Sequence, residues 1–230
     1  MAEAWRGELR IRPGVVAFAG QIGAAAPHVH AAVQVYRCEQ GAVRVTGEDG
    51  ASVTAPVVVI PAGASHRVAV AEGVVGSTVF LDPSSSWAPE RGDWERSVRG
   101  WADERRTSYA EATLRRLDRH PPAPGFGARI EQWVRDRLPE RVQVGELAEA
   151  LAVSEATLRR RARADLGLSV QAYTRWVRLL LALEQIAAGA SITDAATAAG
   201  FADGSHATRA CREMFGLSPS EAIAGLQLEG

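Results

Sequence analysis

The chain has 230 residues, 47% of them hydrophobic and 23% charged, with a formal net charge of −1. That balance excludes a disordered or collagen-like polymer and suits a packed globular protein of two domains. No run of about 18 apolar residues is free of charges or breakers, so no membrane partner is expected.

The N-terminal MAEAWRGELRIRPG carries charges where a signal peptide needs an apolar core. Cys38 and Cys211 lie far apart in sequence and make no disulfide framework, which fits a cytoplasmic protein. All 26 basic residues are arginine. With near-zero net charge, any affinity for nucleic acid must come from where those arginines are placed rather than from bulk attraction.

Through about residue 84 the chain is a series of short valine-rich runs punctuated by Gly, Pro and Asp-Gly, which predicts strands and turns of a small barrel. EDG, Glu48–Gly50, sits between two such runs as a hairpin tip. PHVHAAVQVYRCEQG contains His28, His30 and Gln34 at even spacing, so as a strand it points all three one way. VIPAGASHRV adds Pro61, Gly63 and His66. Three imidazoles and an amide oxygen on neighbouring strands suit a divalent transition metal, with zinc, nickel, iron and manganese as candidates. The same four side chains also suit a metal-free pocket for an organic effector, or a purely structural polar cluster.

Residues 85–126 read as a helical linker. From Trp94 to about Arg119, Trp94, Val98 and Trp101 recur at i, i+4 and i+7 on one helix face. That face either packs on its own domain or anchors a dimer. HPPAPGFG, His120–Gly127, breaks the helix.

From 127 to 230 the pattern is all helical. VGELAEALAV leads through a short turn into SEATLRRRARADLG, where Ser154 is placed as an N-cap and four arginines, Arg159, Arg160, Arg161 and Arg163, fall within five positions. Leu158, Ala162 and Leu166 share one side, while Arg159, Arg160 and Arg163 take the other beside Ala156 and Thr157. Such a helix can offer arginine to guanine edges or to phosphate. Arg161 sits nearer the packed side, flanking Asp165 as a structural ion pair.

An uninterrupted helix follows up to Gly189, long enough to span roughly 30 Å. The layout then repeats: a short helix, a turn at Gly200–Asp203, and a second helix carrying Gly204, Ser205, His206, Thr208, Arg209 and Arg212. A rod of that length would set two reading helices into major grooves about 34 Å apart on one face of a duplex.

Residues 128–222 resemble the DNA-binding domain of the AraC/XylS family of transcriptional regulators. The resemblance is carried by Gly200-Phe201, Ser205-His206, Thr208-Arg209 and Phe215-Gly216-Leu217-Ser218-Pro219. It implies base-edge contacts from Ala156, Arg159 and Arg160 in one helix-turn-helix unit, and from Gly204, Ser205, His206 and Arg209 in the other. It implies phosphate contacts from Arg163, Thr208 and Arg212. Ala162, Ala207 and Cys211 stand where the family usually packs aromatic residues.

Residues 13–82 resemble the paired motifs of the cupin superfamily, with His28, His30 and His66 at its histidine positions and Gln34 where metal-binding members usually have Glu. The fold class expected is therefore α+β multidomain: a cupin β-barrel over 1–84, a helical linker over 85–126 and an all-α domain over 127–230 with two helix-turn-helix units. What this implies is a one-component regulator that binds promoter or operator DNA and senses a metal or small molecule. It would act as a homodimer, with RNA polymerase as a further partner for an activator, and would not be an enzyme. The alternative is a metal-dependent cupin enzyme fused to a DNA-binding module, for which Gln34 supplies neither acid nor base.

Overall fold

The computed structural model describes residues 5–12, 14–88, 97–117, 125–223 and 226–228. Strands β1 (Arg6–Arg12), β2 (Val15–Gln21), β3 (Ala25–His28), β4 (Val33–Gln40), β5 (Val43–Gly47), β6 (Ser52–Ala55), β7 (Val57–Ile60), β8 (His66–Val70) and β9 (Val75–Leu81) make up the N-terminal half. A short strand β10 (Leu226–Leu228) joins them from the far end of the chain. They form a six-stranded sheet ordered β10-β1-β2-β9-β4-β7 and a four-stranded sheet ordered β3-β8-β5-β6. Alternation explains much of the pairing. Val43 and Val45 on β5 are buried while Arg44 between them is exposed, which fits a strand with one face in the core.

β7 breaks that pattern, since all four of Val57–Ile60 are buried. Its outer face is covered by helix α1 (Glu104–Leu117), where Val57, Val59, Val35, Val79, Leu81 and Trp87 pack with Ala110. The hairpin tip is as expected: Gly50 takes φ +79°, and the Asp49 carboxylate accepts from the Ala51 N–H at 3.0 Å.

The linker departs from its reading. Trp94 lies outside the described residues, and Val98–Ala102 form a 3-10 turn before α1 begins. Val98 and Trp101 are 2% and 3% exposed and pack into the N-terminal core, so neither anchors a second copy. A Cβ added to Gly47 would come within 2.4 Å of Val98 Cγ2, which shows how closely that turn lies on β5.

Helices α2 (Phe126–Arg135), α3 (Val144–Ala150), α4 (Glu155–Arg161), α5 (Val170–Ala187), α6 (Ile192–Ala198), α7 (Gly204–Phe215) and α8 (Pro219–Ile223) build the C-terminal half. α4 runs on into a π-helical turn, Ala162–Leu166, that ends at Gly167 with φ +80°. α5 is the spine: 11 of its 18 residues are buried, and at ~1.5 Å per residue it spans ~27 Å. Serine caps start α4, α5 and α6, each Oγ accepting a backbone N–H three residues on, and Asp203 does the same for α7.

One continuous core runs through both halves, from Trp5 and Phe18 in the sheets to Trp176 and Met214 in the helices. A polar latch crosses the same boundary. Tyr173 Oη donates to Asp82 Oδ2 at 2.9 Å, Ser84 Oγ donates to Asp82 Oδ1 at 2.8 Å, and Gly127 N donates to Ser84 Oγ at 2.7 Å. Gly127 has no substitute there, because a Cβ would meet Asp82 Oδ2 at 2.3 Å and Tyr173 Oη at 2.5 Å.

Candidate metal and nucleic-acid sites

β3 ends at His28 and β8 begins at His66, and the two residues are direct partners across the four-stranded sheet. The chain then leaves that sheet over residues 29–32 and enters β4 of the other sheet at Val33. His30 lies in this crossing and Gln34 is the second residue of β4. The sequence reading placed His28, His30 and Gln34 on one strand face; they instead sit on two sheets and the link between them. They converge because the crossing folds over His66. Imidazole centroids are 4.2 Å apart for His28–His66, 5.0 Å for His30–His66 and 5.6 Å for His28–His30.

Each ring is oriented by a backbone carbonyl. His28 Nδ1 donates to Ala26 O at 2.8 Å, His30 Nδ1 to Ala32 O at 2.7 Å and His66 Nδ1 to Ala64 O at 3.0 Å. A carbonyl can only accept, so every Nδ1 carries its proton and every Nε2 is left as a bare lone pair when the ring is neutral. Burial holds the rings neutral: it drives His28 down to about 4, His30 to about 3 and His66 to about 2, with the neighbouring imidazoles lowering the last two further. Gln34, 1% exposed, points Oε1 at His30 Nε2 at 2.9 Å and at His66 Nε2 at 3.2 Å. Its Nε2 donates to Thr78 Oγ1 at 3.2 Å.

Acceptors thus face acceptors, which is a cation's environment. One nitrogen from each histidine lies within 4.8 Å of the others. Tetrahedral zinc with bonds of ~2.0–2.1 Å needs ligands roughly 3.3 Å apart, so the rings must close by on the order of 1 Å. The carbonyls at each Nδ1 are the outer-shell partners that metal-ligating histidines ordinarily have.

Aromatic residues surround this cluster, and sequence reasoning did not find them. Trp101 meets His66 edge-on at 6.3 Å and Phe80 meets His30 at 5.3 Å. Trp176 from α5 lies 6.4 Å from His30, and Phe215 at the end of α7 lies tilted over Trp176 at 5.1 Å and meets Phe80 edge-on at 5.4 Å. Only the tertiary meeting of the two halves places Trp176 and Phe215 here; their helical periodicity marks them as core and nothing more. Beside the cluster, Phe18, His28, Phe80, Leu180 and Phe215 line an apolar cavity of about 70 Å³.

The segment bearing His28 and His30 also holds α7. Ala26 N donates to Gly216 O at 3.2 Å and Val29 N to Glu213 O at 2.9 Å, so two carbonyls left over at the helix end find their donors in the N-terminal half. Gly216, at φ +69°, allows the approach, because a Cβ there would lie 2.4 Å from Ala26 O and 3.0 Å from His28 Nδ1.

On α4, Leu158 and the following Ala162 are buried, whereas Ala156, Arg159, Arg160 and Arg163 are exposed. Ser154 Oγ accepts the Thr157 N–H at 3.1 Å and donates to Thr157 Oγ1 at 3.0 Å, so Thr157 belongs to the cap. Arg159 pairs with Glu155 on its own helix. Arg161 does lean on Asp165 at 3.2 Å, and its guanidinium also covers Phe126 at 4.2 Å.

On α7, Ala207, Ala210, Cys211 and Met214 face inward while Ser205, Arg209 and Arg212 are exposed. The small residues Ala162, Ala207 and Cys211, which stand where the family usually packs aromatics, are buried at the helix faces. Gly204, Ser205, Thr208, Arg209 and Arg212 line a groove together with Thr193 of α6. His206 stands half-buried, edge-on to Phe201 at 5.2 Å, with its backbone N–H capped by Asp203. Arg141, Gln143, Arg159, Arg175 and His206 border a second cleft between the two units.

Residues 147–224 match the family profile described as a helix-turn-helix domain. The HTH-type transcriptional activator RhaS of Escherichia fergusonii is 34% identical over 94 residues, covering 40% of this chain and 34% of RhaS. RhaS of Yersinia pestis strain Pestoides F is 32% identical over 90 residues, 39% of this chain and 33% of that protein. The match therefore spans about a third of the length of these curated relatives. In fold, an apo variant of ToxT from Vibrio cholerae strain SCE256 superposes with a TM-score of 0.60 at 10% identity, over 96% of this chain and 100% of that one. The unsaturated-fatty-acid-bound wild-type ToxT of the same strain gives 0.55 at 12% identity, over 91% and 93%.

Proposed function

From the premise that the C-terminal half of this chain is an AraC-type helix-turn-helix domain, we propose that the protein is a one-component transcriptional regulator whose N-terminal half senses a transition metal. One observation carries the sensing reading: the segment Ala26–His30 supplies two imidazoles of the buried acceptor cluster and both backbone donors that grip the end of α7. An ion that draws His28, His30 and His66 together moves the strand to which the second reading helix is fastened. Occupancy then biases which arrangement of α7 is populated, and DNA affinity follows.

The donor set favours zinc, nickel or ferrous iron, because imidazole nitrogen suits them while manganese prefers oxygen ligands. Gln34 supplies neither acid nor base, and the reading gives the three imidazoles to the ion rather than to an enzymatic step. Base contacts are assigned to Ala156, Arg159, Arg160, Gly204, Ser205, His206 and Arg209, and phosphate contacts to Arg163, Thr208 and Arg212. The reading extends to a homodimer on its operator, which sedimentation at micromolar concentration checks, and to RNA polymerase as partner of an activator.

A second reading has its own observation: the apolar cavity beside the cluster, in a fold shared with a fatty-acid-bound ToxT. At about 70 Å³ the cavity matches a few water molecules rather than the ~300–1,000 Å³ of ligand pockets, so an organic effector would first have to part the sheets from α5. Metal analysis and operator binding of the wild type beside His66→Ala test the choice. The expected result is about one equivalent of metal, a metal-dependent operator affinity, and loss of both in the variant. Wild-type protein that takes up no metal after loading would overturn the metal reading.

A further inference from the structure

Gln34 occupies a position where its two faces are matched to two different states of the histidine cluster. Its oxygen faces His30 Nε2 and His66 Nε2, and its amino group faces Thr78. Tyr36 is buried with its hydroxyl near Gln34 and Thr78, both of which act to lower its pKa. Both neighbours on the amino side are hydroxyls, and a hydroxyl donates or accepts as its partner requires. On the other side stand imidazole nitrogens fixed as acceptors, because all three Nδ1 protons are engaged by carbonyls.

Turned over by half a rotation about its last torsion, the amide would present two N–H donors to two bare nitrogens, one each for His30 and His66. Its oxygen would accept from Thr78 and Tyr36. The nitrogens of His30 and His66, the amide and the hydroxyls would then be satisfied without an ion, leaving His28 Nε2 as the one imidazole nitrogen that Gln34 does not reach. Unturned, the oxygen and the nitrogens form one converging set of acceptors that only a cation satisfies. A glutamate at this position could satisfy the same acceptors only by taking up a proton, on its own carboxyl or on an imidazole, whereas the amide carries both donors at any pH.

We infer that Gln34 is a two-state positioning residue, giving its amide oxygen to a bound metal and its amide N–H groups to His30 and His66 when the metal leaves. This rests on the metal reading above, and it makes the site reversible: metal is traded against an internal hydrogen-bond network rather than against stranded acceptors. Release leaves the imidazoles held in register by Gln34, ready to be captured again.

The test is nuclear magnetic resonance on uniformly ¹⁵N-labelled full-length protein stripped with a chelator, using correlations transmitted across N–H···N hydrogen bonds. The expected result is cross-peaks joining Gln34 Nε2 to His30 Nε2 and His66 Nε2, lost on adding one equivalent of Zn²⁺. Absence of these cross-peaks in stripped protein that still binds Zn²⁺ would overturn the two-state assignment and leave the metal reading standing. Cross-peaks that persist in a large excess of Zn²⁺, with no ion bound, would overturn both. Competition with a chromophoric chelator adds a second readout. Gln34→Glu is expected to bind Zn²⁺ tighter by on the order of tenfold or more, since it sets a full charge against the ion. Equal or weaker binding by a folded Gln34→Glu protein would overturn the trade.

Discussion

At the scale of single residues, the histidines connect stability to pH in a defined direction. Their folded-state values lie near 4, 3 and 2 for His28, His30 and His66, below the ordinary 6.5 that the unfolded chain keeps. Gln34 and Tyr36, both uncharged at neutral pH, complete their shell. Between about pH 4 and 6.5 the unfolded state binds more protons, so stability rises with pH across that window and is lost as pH falls through it. Three such groups give a slope of up to about 4 kcal/mol per pH unit in metal-free protein. Urea titrations of chelator-treated protein at pH 5 and 7 check this; a flat profile would mean that the rings stay accessible to water. Ala152 is a second residue-scale case. It holds φ +55° in the turn between α3 and α4, and the corresponding turn of the second unit uses Gly200 at φ +78°. The left-handed region disfavours a residue with a Cβ by about 1–2 kcal/mol, so Ala152→Gly is expected to raise stability by up to about 1 kcal/mol after the added unfolded-state entropy. Thermal unfolding measures it.

At the scale of elements, the two reading helices differ in how free their arginines are. Arg209 and Arg212 project from α7, whereas Arg159 on α4 must leave Glu155 to reach a base edge. Arg159→Ala and Arg209→Ala are each expected to weaken specific binding by about 1–3 kcal/mol in fluorescence anisotropy with operator DNA. Glu155→Gln frees Arg159 and is expected to strengthen binding, with the gain shrinking at high salt. Arg161→Ala should leave operator affinity unchanged and lower stability instead, because its guanidinium lies on Phe126. Most of these elements were legible from sequence. The Ser154 cap, periodic leucines and the Gly200-Phe201 turn announce helices through local chemistry alone. The strand run carrying His28, His30 and Gln34 was not, because even spacing says which side chains agree in parity and nothing about where the chain leaves one sheet for the other. Trp101 shows the same limit: an i, i+3 partner of Val98 reads as a helix face, but a 3-10 turn buries both against β-strands.

At the scale of the whole molecule, the two halves share one core and a buried latch. Tyr173 and Asp82 meet across that boundary with Glu131 close enough to influence the same tyrosine. Removing one partner leaves a buried acceptor without its donor, so Tyr173→Phe is expected to destabilise by about 1–3 kcal/mol. Its signature should be local as well as global, with faster hydrogen exchange at the Ala26 and Val29 amides that hold the end of α7. Protection unchanged at those amides would mean that the latch and the grip on α7 are independent.

The last described strand adds a constraint of another kind. β10 lies parallel to β1, with Gly7, Glu8 and Leu9 paired to Leu226, Gln227 and Leu228. The helical half therefore leaves the sheets after β9 and returns to them at β10, like a gate hung from two posts. A gate with two hinges can swing only about the line that joins them. Any movement of α4 and α7 relative to the N-terminal sheets is reduced in this way from free tumbling on a tether to rotation about one axis, unless three residues first peel from the sheet edge.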